Sequence, residues 1–191
     1  MRATILLVLT ALALAAQSGS DGPQFTPEGQ LTLPKDYRQW VYLSSGLGMT
    51  YGPAAQADQG NPMFDTVFVN PSAYRAFLES GHWPDKTMFV LEIRRSISKG
   101  SINNGGHFQG DVVAIEAAVK DEARFPQQWA YFDLGQSGKA KPMPANSSCN
   151  SCHRQNAAVE NTFVQFYPTL LEVATRKGTL NPNYQQQSAP K

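Results

Sequence analysis

The only two cysteines of this 191-residue chain fall inside one pentapeptide, Cys149-Asn150-Ser151-Cys152-His153. A C-x-x-C-H run constrains what can form around it. Two thiols three positions apart suit addition to the two vinyl groups of one haem, and the adjacent imidazole can then reach the iron. A lone disulfide, or a redox C-x-x-C beside an unrelated histidine, are the rival readings, and neither needs His153. On the haem reading His153 is the metal ligand. Both thiols are then committed, so no structural disulfide remains and stability has to come from packing and from the covalently bound c-type haem.

The N-terminus points to the same compartment as the motif. Arg2 gives a positive start, and Ala3 to Ala16 is an apolar run too short to span a bilayer comfortably. Small residues from Ala13 to Ser20 suit cleavage, so residues 1–20 read as a secretory signal peptide and leader; an uncleaved anchor is the alternative. No cysteine follows the run, which argues against a lipid-anchored lipoprotein. The expectation is export, into the periplasm of a two-membrane cell. The formal charge is +1, and removal of Arg2 with the leader takes it to 0. That balance favours neither nucleic acid nor a strongly charged membrane surface. About 170 residues then remain, enough for one domain with its own core.

Along the chain, β-branched and aromatic runs alternate with Gly- and Pro-bearing breaks. Residues 31–39 suggest a turn into a short helix, with Pro34 in its first turn. Strands are expected at 40–45, 65–70, 87–97, 111–120 and 129–134. Residues 46–62 read as loop, 103–106 as a turn, and 135–148 as a linker into the haem motif. Ser72 is the expected cap of a helix running to about Glu79. Residues 162–177 carry an amphipathic helix pattern, which Pro168 should kink or restart. The predicted architecture is α+β: a mainly antiparallel β-sheet with flanking helices and a C-terminal haem-binding helical segment. The haem domain spans residues 31–177, and 178–191 reads as a flexible tail.

The position of the motif bears on the iron's sixth ligand. Only 38 residues follow His153, none of them methionine or histidine. Met49, Met63, Met88 and Met143 all lie upstream. Met88 falls in a strand and reads as core; Met49, in a Gly-rich loop, is the best methionine candidate. His82 and His107 read as turn histidines. The sequence thus favours a five-coordinate iron with an open side that binds small ligands. A β-rich body also argues against a four-helix haem bundle.

The strings Leu33-Pro34-Lys35-Asp36-Tyr37-Arg38-Gln39-Trp40-Val41, Val67-Phe68-Val69-Asn70-Pro71, Gly110-Asp111-Val112, Ile115-Glu116-Ala117 and Val119-Lys120-Asp121 add a second signal. With them go Cys149-x-x-Cys152-His153 and Phe163-Val164-Gln165-Phe166-Tyr167-Pro168. Together they resemble the cytochrome P-460 family, which includes the β-type cytochromes c′. The resemblance runs from about Leu31 to Lys177. It implies a mainly antiparallel sheet, often in a homodimer, and one five-coordinate c-type haem.

Two chemistries go with that family. Some members oxidise hydroxylamine and react with nitric oxide, using a haem cross-linked to a lysine. The β-type cytochromes c′ lack the cross-link and bind nitric oxide in an apolar pocket. The cross-linking lysine falls here on Leu91, which has no amine. Phe89, Leu91 and Ile93 share one face by strand alternation, and Phe68 is expected to join them in an apolar wall beside the haem. Glu92 and Glu116 are the candidate catalytic bases, with Glu92 alternating away from Leu91. The sequence therefore suggests an exported mono-haem c-type cytochrome that binds nitric oxide or a related small nitrogen ligand. The alternatives are a hydroxylamine or nitric oxide oxidoreductase feeding a redox partner cytochrome, and a simple electron-transfer cytochrome.

Overall fold

Five strands rich in β-branched and aromatic residues pair into one antiparallel sheet, and helices and a small sheet pack on its two faces. The computed structural model describes residues 20–51, 62–135 and 137–188. Residues 1–19, which carry the expected signal, and 52–61 of the expected loop lie outside the described residues. The large sheet contains β3 (Val41–Leu47), β4 (Met63–Val69), β5 (Met88–Ile97), β6 (Phe108–Lys120) and β7 (Trp129–Asp133), in the order β3-β4-β5-β6-β7. A small sheet pairs β1 (Gln24–Phe25), β2 (Leu31–Thr32) and β8 (Lys139–Ala140). The helices are α1 (Pro71–Ser80), α2 (Ser148–Asn156), α3 (Pro168–Lys177) and α4 (Pro182–Ser188). The α+β expectation holds.

Strand alternation divides the core in two. On one face Met88, Val90, Ala117, Val119, Ala130 and Phe132 bury against Leu31, Tyr37 and Trp40 from the small sheet and the turn after it. On the other, Val69, Phe89 and Trp129 pack under Ala73 and Phe77 of α1 and Leu170, Val173 and Ala174 of α3. Burying each such Val, Leu or Phe contributes about 1.5–3 kcal/mol, so the sheet is stabilised from both sides.

Several local expectations change. The helix expected within 31–39 shrinks to a 3-10 turn at Tyr37–Gln39, because Leu31 and Thr32 pair as a strand instead. Ser72 does not cap α1; Asn70 holds the cap position, and the Ser72 N–H bonds Asp21 Oδ2 at 2.8 Å. A carboxylate from the N-terminal segment thus satisfies a first-turn donor of the helix. Gly81 closes α1 with φ 76°, the left-handed conformation that glycine adopts at least cost. Pro168 restarts the C-terminal helix: a 3-10 turn, Val164–Phe166, precedes it and α3 begins at Pro168 itself. The expected linker contains β8, and the expected loose tail contains α4. No helix among the described residues is long and apolar enough to cross a membrane.

Candidate functional site

The C-x-x-C-H run opens helix α2. Asn150 is buried there, and its Nδ2 donates to the Pro144 carbonyl at 3.1 Å and to Ser147 Oγ at 3.0 Å, fastening the first turn. Cys149 and Cys152 are both unpaired and half-buried. Their spacing of three places both thiols on one side of the helix.

His153 lies between the Tyr131 and Phe163 rings, with centroids 4.2 and 4.3 Å away. Its Nδ1 is 2.8 Å from the Asn161 carbonyl oxygen. A carbonyl can only accept, so Nδ1 carries the proton and Nε2 is left with a free lone pair. Burial lowers the pKa of His153, against the opposing effect of that bond, and so favours the neutral ring. A neutral imidazole oriented by a backbone carbonyl is the usual state of a metal-ligating histidine. These residues therefore fit a c-type haem: two free thiols on one helical side, and a histidine already fixed in the ligating tautomer.

Around this helix lies an aromatic surface. Tyr51 stacks on Phe163 at 6.4 Å and also approaches Phe166, and both Tyr51 and Phe166 are exposed. The Tyr51 hydroxyl lies 3.8 Å from Met49 Sδ, which keeps Met49 beside this surface. Met88 is fully buried core, as expected. His82 lies in the turn after α1, with Nδ1 3.6 Å from Glu160 Oε1, and His107 is exposed in the β5–β6 turn.

The sheet face toward α2 is the one that carries Tyr131. Leu91 is in register with Val67 on one side and Glu116 on the other, and Glu116 with Asp133. Phe89, Leu91 and Ile93 share this face, as alternation requires. Phe89, however, is packed among Trp83, Trp129 and Tyr167 and is only 5% exposed, which makes it core under α3. The expectation that Phe68 joins this wall is corrected. Phe68 pairs with Val90 and packs on the opposite face, 5.8 Å from the Tyr37 ring.

The two candidate bases separate in the same way. Glu92 is buried on the face away from Leu91, where Tyr37, Arg38 and Arg94 all donate to it. Burial alone would raise its carboxyl, but those bonds outweigh it and hold the group below the usual carboxylate range. Glu92 is a structural anion. Glu116 lies on the Leu91 face, where burial, then Asp133 and Asp65, push its carboxyl up. No ion pair is formed by Glu116 among the described residues.

Tyr131 and Asn161 were not legible as site residues. Tyr131 sits in a short aromatic strand like any core position, and Asn161 acts through its backbone, which carries no side-chain signature.

No curated protein matches the chain. The family model described as Cytochrome P460, a family of haem-iron cytochromes, matches residues 34–164. That match covers more than two thirds of the 191 residues and encloses β3 to β7, α2 and the C-x-x-C-H run, so the chain belongs to the cytochrome P460 family.

Proposed function

We propose that the protein is an exported mono-haem c-type cytochrome that takes nitric oxide, or a similar small nitrogen ligand, at a five-coordinate iron. Cys149 and Cys152 would tether the haem through thioethers, and His153 Nε2 would ligate its iron. The observation that carries this reading is the His153 Nδ1–H bond to the Asn161 carbonyl, which leaves Nε2 free beside two unpaired thiols. Bound there, the haem supplies one open coordination position for a diatomic. Leu91 and Val67 present apolar surface on the sheet face toward α2, which suits a neutral ligand better than a charged one. Leu91 also removes the amine that a lysine cross-link would need. Export rests on the N-terminal sequence.

The test is the optical spectrum of the purified ferrous protein with and without nitric oxide, together with the mass of the haem peptide. The reading expects a high-spin ferrous spectrum that changes on nitric oxide addition, and a peptide carrying haem through two thioethers only. A low-spin spectrum with a methionine–iron charge-transfer band would sink it in favour of plain electron transfer.

Glu116 favours a second reading, an oxidoreductase acting on hydroxylamine or nitric oxide and passing electrons to a partner cytochrome. A carboxyl on the Leu91 face, with no cation against it among the described residues and a raised pKa, is suited to take protons from a nitrogen substrate. Hydroxylamine-dependent reduction of an added acceptor that is lost in Glu116→Gln would support this reading. Turnover unaffected by that change would remove Glu116 from it.

A further inference from the structure

The Asn161 carbonyl that orients His153 is shared. It accepts the Tyr131 hydroxyl at 3.3 Å as well as His153 Nδ1–H at 2.8 Å. It is also held from outside the haem helix. The preceding residue, Glu160, has φ 49°, a conformation unfavourable to a residue with a side chain. Trp83 N–H donates to its Oε1 at 3.1 Å and Lys120 Nζ to its Oε2 at 3.0 Å. On the other side of Asn161, Thr162 Oγ1 accepts Trp83 Nε1–H at 2.8 Å. Both neighbours of the carbonyl are thus tied to one buried tryptophan.

Asn181 closes the frame. Its Nδ2 donates to the carbonyls of Ala157 at 2.9 Å and Glu160 at 2.8 Å, and its own N–H to the Ala158 carbonyl at 2.7 Å. Asn181 lies beyond residues 34–164 that the family model matches.

We propose that Tyr131 and Asn181 are positioning residues that set, in opposite senses, how strongly His153 donates to a bound metal. The proposal rests on His153 being the axial ligand. The strength of the Nδ1–H bond governs the electron density of the ring and so its basicity toward a metal. A carbonyl that already accepts the Tyr131 hydroxyl is a poorer acceptor for Nδ1–H, so Tyr131 weakens the ligand. Asn181 keeps the loop, and with it the carbonyl, in place, so Asn181 strengthens it.

The experiment compares wild type, Tyr131→Phe, Asn181→Ala and His153→Ala holoproteins by ferrous resonance Raman spectroscopy and potentiometry. Tyr131→Phe keeps the ring against His153 and removes only the competing donor. It should move the iron–histidine stretch to higher frequency and the potential downward. Asn181→Ala should move both the other way. Equal or same-sign shifts in the two variants, or no shift in Tyr131→Phe, would overturn the proposal while leaving the axial assignment intact. An iron–histidine band that survives in His153→Ala would overturn the axial assignment itself, and the tuning proposal with it.

Discussion

Glu92 and Glu116 are offset by one position along neighbouring strands, and their surroundings give them opposite pH behaviour. The Glu92 carboxyl is held below its ordinary range, so its contribution to stability is present above about pH 4.3 and is lost as pH falls through the folded-state value. Glu92→Gln should therefore cost about 2 kcal/mol at pH 7, the scale of hydrogen bonds to a charged group. The loss should shrink in acid, as denaturant unfolding at the two pH values would show. Glu116 runs the other way. Its raised carboxyl favours the folded state fully below about pH 4.3, and that contribution is lost as pH rises through the folded-state value. Glu116→Gln should melt above wild type at pH 7 and level with it near pH 4; a variant that melts lower at pH 7 would show that this carboxylate has a stabilising partner.

At the scale of elements, what was legible depended on length and distance in the chain. Five strands of five or more residues carry runs of β-branched and aromatic residues, and all five appear within a few residues of where those runs put them. The two-residue strands β1, β2 and β8 are too short to show any period, and they form only because they pair with each other. The α1 cap is hidden from the sequence for a related reason. Ser72 looks like a local cap, but the carboxylate that binds its N–H comes from Asp21, 51 positions away. Asp21→Ala should lower stability by about 1 kcal/mol, the usual cost of losing a helix N-terminal acceptor, measured by urea unfolding. Alternation also bears on the site: it puts Glu92 on the face away from Leu91, as the structure has it, while Phe68 falls one position out of phase with the Leu91 face.

The whole molecule is three layers, and the C-terminal segment fastens the layer that holds His153. Leu180 and Tyr184 pack against the helical core, and Asn181 bonds the loop that carries Asn161. A polar composition hid this, because a segment that docks through backbone carbonyls needs little apolar surface of its own. A chain ending at Gly178 should melt about 5 °C lower, on the scale of 2–4 °C per kcal/mol for a domain of this size. Its iron–histidine stretch should follow that of Asn181→Ala. Differential scanning calorimetry and Raman spectra of the same sample check both.

Leu91 directly opposite Glu116 has a consequence for substitution at this position. The resemblance assigns that position to a lysine in the relatives that carry the cross-link. Such a lysine would meet the Glu116 carboxylate on the next strand, so introducing the amine would need no compensating change. Leu91→Lys should fold as stably as wild type at pH 7, with Glu116 ionising at lower pH, which thermal melts and carboxyl titration by NMR would read. One substitution at this position would thus exchange an apolar side chain for an amine whose charge partner, Glu116, is already in place.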